Sequence, residues 1–108
     1  MYFIQLQLAN GDNYIPVEEA VQVEKMSVIA NADAGATASV TLTDGMNTIN
    51  VATCDGDTAG TITEGVADAT NGKTTIPAGG LIKITCSSTN GVGFGCTLAL
   101  DEYLIGNR

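Results

Sequence analysis

From residue 4 to residue 100 the chain is a succession of short stretches in which apolar and polar side chains alternate, each closed by Gly, Asn or Asp. A two-residue period places every second side chain on one face of an extended strand, and no helix can use it. Ile4, Leu6 and Leu8 alternate with Gln5 and Gln7, and Ala38, Val40 and Leu42 alternate with Ser39, Thr41 and Thr43. Ile82, Ile84 and Cys86 share one face of another strand, and Cys96, Leu98 and Leu100 share one face of the last, which extends towards Ile105. Strands of this length, with turn signals every eight to twelve residues or so, predict an all-β antiparallel sandwich. The expected architecture is Greek-key or jelly-roll-like, with seven to eight short strands in a single domain over residues 1–108.

The details follow from local chemistry. Val21 and Val23 are out of phase with Met26, Val28 and Ala30, which predicts a bulge near Lys25. Pro16 has no amide hydrogen to give, so its strand belongs at an edge. Asp44-Gly45 has the form of a two-residue type I′ turn. That turn would set Thr43 against Met46, Val40 against Ile49 and Ala38 against Val51. Residues 61–69 are ambiguous: Ile62, Val66 and Ala69 fit a helical period, Gly65 weakens it, and an irregular stretch or one helical turn is expected. Val40, Leu42, Ile49, Val51, Ile82, Ile84, Leu98 and Leu100 should share one core.

The residue inventory removes most chemistry. There is no histidine, so serine and cysteine triads lack their usual base and histidine zinc sites cannot form. Lys25, Lys73, Lys83 and Arg108 are the only cations against a net charge of −8. Nucleic acid and anionic membranes both need a basic face, so neither is an expected partner. Charged residues make up only 15% of the chain, against about a quarter in ordinary proteins. The surface is therefore built largely from neutral Thr, Ser and Asn, which can pack against a neighbour without desolvating many ions. No stretch is long enough to cross a bilayer as a helix, and the first residues read as a strand rather than a signal peptide, so synthesis in a cytoplasm is expected. Cys54, Cys86 and Cys96 are an odd, widely spaced set. They read as small buried hydrophobes, with Cys86 and Cys96 expected in neighbouring strands.

Three short patterns imitate functional motifs. Gly72-Lys73-Thr74 resembles the end of a phosphate-binding loop, but Ala67 stands where the first glycine is needed, and Pro77 opposes the helix that must follow. Gly91-Val92-Gly93-Phe94-Gly95 imitates a dinucleotide fingerprint that precedes a strand instead of a helix. Asp55 and Asp57 are candidate calcium ligands if a third carboxylate such as Asp33, Asp44 or Glu64 joins them. A solvated acidic turn is the plain alternative. Asp101 and Glu102, being adjacent on a strand, face opposite ways and make a poor acid–base pair. No cofactor and no enzymatic activity are expected.

One stretch suggests kinship. Pro77-Ala78-Gly79-Gly80 runs into the strand Leu81-Ile82-Lys83-Ile84-Thr85-Cys86. A Gly-rich loop follows, then Cys96-Thr97-Leu98-Ala99-Leu100-Asp101-Glu102-Tyr103. This layout, with the earlier Thr37-Ala38-Ser39-Val40-Thr41-Leu42 segment, resembles the small β-sandwich virion proteins of tailed bacteriophages over residues 21–105. The resemblance implies a capsid decoration (cement) protein, carried on the outer surface of the virion head, bound to the major capsid protein and often trimeric at local threefold axes. The alternative is a carbohydrate- or receptor-binding module of a phage tail or fibre. Exposed aromatics over a shallow cleft would mark that alternative, and Tyr2, Tyr14 and Tyr103 are the only tyrosines available. An acidic hydrolase would instead need carboxylates converging in a pocket. Neither terminal strand is guarded: residues 2–8 have no Pro and no charge, and residues 96–105 have charge only at Asp101 and Glu102. A homo-oligomer, with a trimer favoured, is expected to bury Tyr2, Phe3, Ile4 and Tyr103 at its interface.

Overall fold

The structure, a computed structural model, describes residues 1–102. Among these residues the secondary structure is entirely β, in ten strands. They are β1 (Tyr2–Leu8), β2 (Gly11–Pro16), β3 (Val21–Ala30), β4 (Ala38–Thr43), β5 (Thr48–Thr53), β6 (Ile62–Glu64), β7 (Val66–Ala67), β8 (Thr75–Ile76), β9 (Leu81–Ser88) and β10 (Phe94–Glu102). One sheet has the order β1-β10-β3-β6, with β8 also paired to β3, and the other has the order β2-β9-β4-β5-β7. Every pairing is antiparallel. The ten strands exceed the expected seven or eight because β7 and β8 are two-residue pieces; without them eight principal strands remain.

The pairings nest. β1 lies on β10, β2 on β9, β3 on β8 and β6, and β4 on β5. The chain is thus a long antiparallel ribbon, rolled so that β10 also pairs β3 and β9 also pairs β4. That is the jelly-roll arrangement of two packed sheets. Its core is filled from both inner faces: Met26, Val28, Phe94 and Leu98 from one sheet, and Val40, Leu42, Ile49, Ile82 and Ile84 from the other, all fully buried. The bulge expected near Lys25 is present, because Lys25 opposes Ala99 while Val23 opposes Leu100, leaving Glu24 as the extra residue. It lets Val21 and Val23 point inward together with Met26 and Val28.

Several sequence expectations are corrected. The β4–β5 connection is a four-residue loop, Asp44–Asn47, not a two-residue turn. The Asp44 carboxylate accepts hydrogen bonds from the amides of Met46 (2.9 Å) and Asn47 (2.7 Å), which holds the loop open by two more residues. Gly45 does take positive φ, +98°. Pairing resumes with Thr43 against Thr48, and Val40 opposes Ala52, not Ile49. Ile49 is the extra residue of a bulge, since Leu42 opposes Asn50. This bulge flips the phase, so Ala52 enters the core and Val51, expected there, is half-buried on the outer face.

Residues 61–69 contain no helical turn. They form β6 in one sheet and β7 in the other, with Gly65 at the crossing. A Cβ on Gly65 would lie 1.9 Å from Oδ1 of the buried Asn50, so only glycine fits without rearrangement. Cys86 and Cys96 are in opposite sheets, not in neighbouring strands, and both point into the core. Finally, β10 is flanked by both β1 and β3 from Phe94 to Leu100, so that part of the last strand is not an unguarded edge, and residues 103–105 lie outside the described residues.

Candidate interaction surface

The rolled ribbon leaves four sheet edges, and they differ in what they expose. β6 and β8, of three and two residues, share one edge, and β7, of two residues, forms another. β2 is six residues long but carries Asp12 and ends in Pro16. β1 is seven residues long and, among the described residues, pairs with β10 alone. It has no proline and no charge. A row of backbone donors and acceptors on β1 therefore faces away from β10 with nothing in its own sequence to deter a neighbour.

The inward face of β1 is graded. Leu8 is buried, Leu6 and Ile4 are half-buried, and Tyr2 is 40% exposed. The cause is the corner that joins β1 to β2. Asn13 pins it, with Nδ2 donating to the carbonyls of Ala9 (2.9 Å) and Ile84 (3.1 Å) while Oδ1 accepts from the Ala9 amide (3.0 Å). Gly11 turns the chain there with φ +100°. From that corner the two sheets diverge towards Tyr2 and Pro16. The gap is a groove of about 440 Å³, walled by Ile4, Ile15, Val17 and Leu100, with Tyr2 at its mouth and Glu18, Glu19 and Glu102 along its rim. On the other side of β1 Phe3 is 64% exposed. Tyr2, Phe3 and Ile4, singled out from sequence, thus lie together at one free edge, whereas Tyr103 lies outside the described residues.

The other candidates are placed as follows. Asp55 accepts a hydrogen bond from the Ala38 amide (2.8 Å), and Asp57 accepts one from the Thr63 hydroxyl (2.6 Å). Both carboxylates tie their loop to neighbouring strands. Glu64 accepts from the Ser27 hydroxyl (2.6 Å) and lies 3.5 Å from the Lys25 ammonium. Those contacts hold its carboxyl below the usual range, with the Ser27 hydrogen bond the larger cause. No group of three or more potential metal ligands comes together among the described residues. Gly72-Lys73-Thr74 is a turn leading to β8, and the glycines at 91–95 lead into β10. Burial pushes the thiols of Cys54 and Cys86 up to about 11 and that of Cys96 up to about 12, so all three stay protonated and unreactive at neutral pH.

Two surfaces were not foreseen from the residues. On the outer face of the β1-β10-β3-β6 sheet, Ile29 opposes Ile62, which is 69% exposed, and Gly95 lies beside Ile29. These residues line a shallow cleft of about 300 Å³. The outer face of the other sheet carries a row running Asp12, Thr85, Thr41, Val51 and Val66 across its five strands, with Tyr14 exposed at the β2 edge. The outward Thr41 and Thr43 of β4 and Thr85 of β9, each alternating with apolar neighbours, were the available signal for that row. Comparison with protein families returns no matching family model, and comparison with curated proteins returns no relative.

Proposed function

We propose that this protein is a structural virion component, a decoration subunit that adds to the outside of an assembled phage head and buries its β1 edge in a contact there. The observation that carries this reading is the free, uncharged β1 strand beside an apolar groove in a chain that otherwise carries a net charge of −8. A decoration subunit has to form many neutral contacts without competing for packaged nucleic acid, and an acidic, Thr-rich surface suits that task. Jelly rolls serve both capsids and lectins, so the architecture is compatible with the reading without selecting it. Nucleic acid, membranes and cofactors have no part in it. The major capsid protein is the expected partner.

The second reading is a carbohydrate- or receptor-binding tail module. Tyr14, 61% exposed beside the Thr-rich face, is the feature that favours it. The walls of the groove by Tyr2 are aliphatic, however, and a sugar site needs converging polar groups. Co-sedimentation separates the two. Phage heads stripped of the protein and incubated with purified chain should take it up to a fixed stoichiometry and gain heat resistance. Saturable binding to immobilised glycans, with no uptake by heads, would replace the first reading with the second.

A further inference from the structure

Charge says what the β1 edge can accept. Two copies of a chain with net charge −8 repel one another over most of their surfaces. Of the two long edges among the described residues, β1 is the one with no charged side chain. It is also self-complementary. Read antiparallel to itself about its middle residue, Gln5, the strand sets Ile4 against Leu6 and Tyr2 against Leu8 on the groove side, and Phe3 against Gln7 on the outer side. Each apolar residue on the groove side then meets another apolar residue, and β1 itself brings no charged side chain into the pair.

We propose that β1 pairs with β1 of a second copy, antiparallel about a two-fold axis at Gln5, joining two four-stranded paths into one continuous sheet. The partner's Ile4 and Leu6 would flank the half-buried Leu6 and Ile4 of the first copy, and the partner's Leu8 end would lie beside the open Tyr2 end of each groove. The contact is isologous and closes at two copies, not at the three that the family resemblance implies. A seven-residue strand pair is smaller than the roughly 1,200 Å² of a standard interface. The solution dimer is therefore weak, and many copies held on one surface would strengthen it through effective concentration. The inference rests on the reading of β1 as the contact edge, but names the occupant as this chain itself.

Disulfide trapping tests it. Gln5 is exposed, so Gln5→Cys leaves folding intact, and the three native thiols are buried. Directly opposed residues in an antiparallel pair have Cα atoms about 4.5–5.5 Å apart, within disulfide range. Under copper–phenanthroline oxidation, Gln5→Cys should give a reducible dimer at least about tenfold faster than the control Met46→Cys on the exposed β4–β5 loop, because pairing raises the local thiol concentration. Phe3→Cys and Gln7→Cys should cross-link when mixed and not when oxidised singly. Equal rates for Gln5→Cys and Met46→Cys would overturn the proposal, as would cross-linking of Phe3→Cys alone. A Gln5→Cys protein that fails to cross-link yet still binds heads refutes the second copy as occupant and leaves the head-binding reading standing.

Discussion

The two long edge strands of this sandwich are built in opposite ways. β2 ends in Pro16, carries Asp12, and is fastened to the strand beside it by Asn13 on the Ile84 carbonyl and by the Thr85 hydroxyl on Asp12. β1 has none of these devices, and its inward face rises out of the core towards an exposed Tyr2. Both strands sit at the same side of the molecule, joined by one corner. A chain that can guard one edge and leaves its neighbour bare has no folding reason to do so, since an unguarded edge invites association. The difference separates an edge fastened to its own sheet, β2, from an edge left open to a partner, β1.

The largest expected effect is on stability, and it should fall on the guarded side only. Ile84, fully buried in β9 beside β2, should cost about 2–5 kcal/mol when changed to Ala, through lost burial and a residual cavity. Ile4→Ala on the open side should cost about 1 kcal/mol or less, because its side chain is only half-buried. Denaturant unfolding of the two variants checks the contrast, and equal losses would break it. The side far from both long edges should behave like the guarded one. Gly65→Ala should destabilise by about 1–3 kcal/mol by overpacking against Asn50. Adding Asn50→Ala should recover part of that loss, since it removes the obstructing Oδ1, which has no hydrogen-bond partner.

A smaller effect belongs to the β4–β5 loop. The Asn47 amide holds the Asp44 carboxyl below its ordinary value of 3.8, against a lesser opposing effect of burial. A depressed folded value means the contribution is fully present above the unfolded value and is lost as pH falls through the folded one. Asp44→Ala should cost about 1 kcal/mol at pH 7, and the gap between variant and parent should close in titrations below pH ~3.8. The smallest effect sharpens the comparison most. Gln5→Lys should leave stability unchanged to within about 0.5 kcal/mol, as exposed substitutions do. The same change sets like charges opposite one another in a β1 pair, so equilibrium sedimentation should show less association than in the parent.

The period of two carried the sequence reading where strands were regular. Ile82, Ile84, Leu98 and Leu100 are inward as expected, and the phase break at Lys25 marked a real bulge. The reading failed where one extra residue intervened. Ile49 bulges and sends Val51 outward, and nothing in Thr48-Ile49-Asn50-Val51 announces it. Asp44-Gly45 has the strongest of short hairpin signals, but the Asp44 carboxylate captured two later amides and lengthened the loop. Alternation also says nothing about which sheet a strand joins, so Cys86 and Cys96 were placed side by side when they lie in facing sheets. Gly65 was legible only as a weakness in a helix, because its partner Asn50 is distant in sequence. At the candidate surface the absence of charge in β1 was visible in the residues. The groove was not, since it arises from how β1 and β2 diverge beyond their shared corner.

A cryo-EM map of phage heads incubated with the purified protein decides where β1 lies. The account predicts sandwiches on the outer capsid surface with β1, from Tyr2 to Leu8, buried in a contact and the Thr-rich outer face of the other sheet in solvent. A map that leaves β1 bare and seats the protein through that Thr-rich face, or that finds no copy on the head, would contradict it.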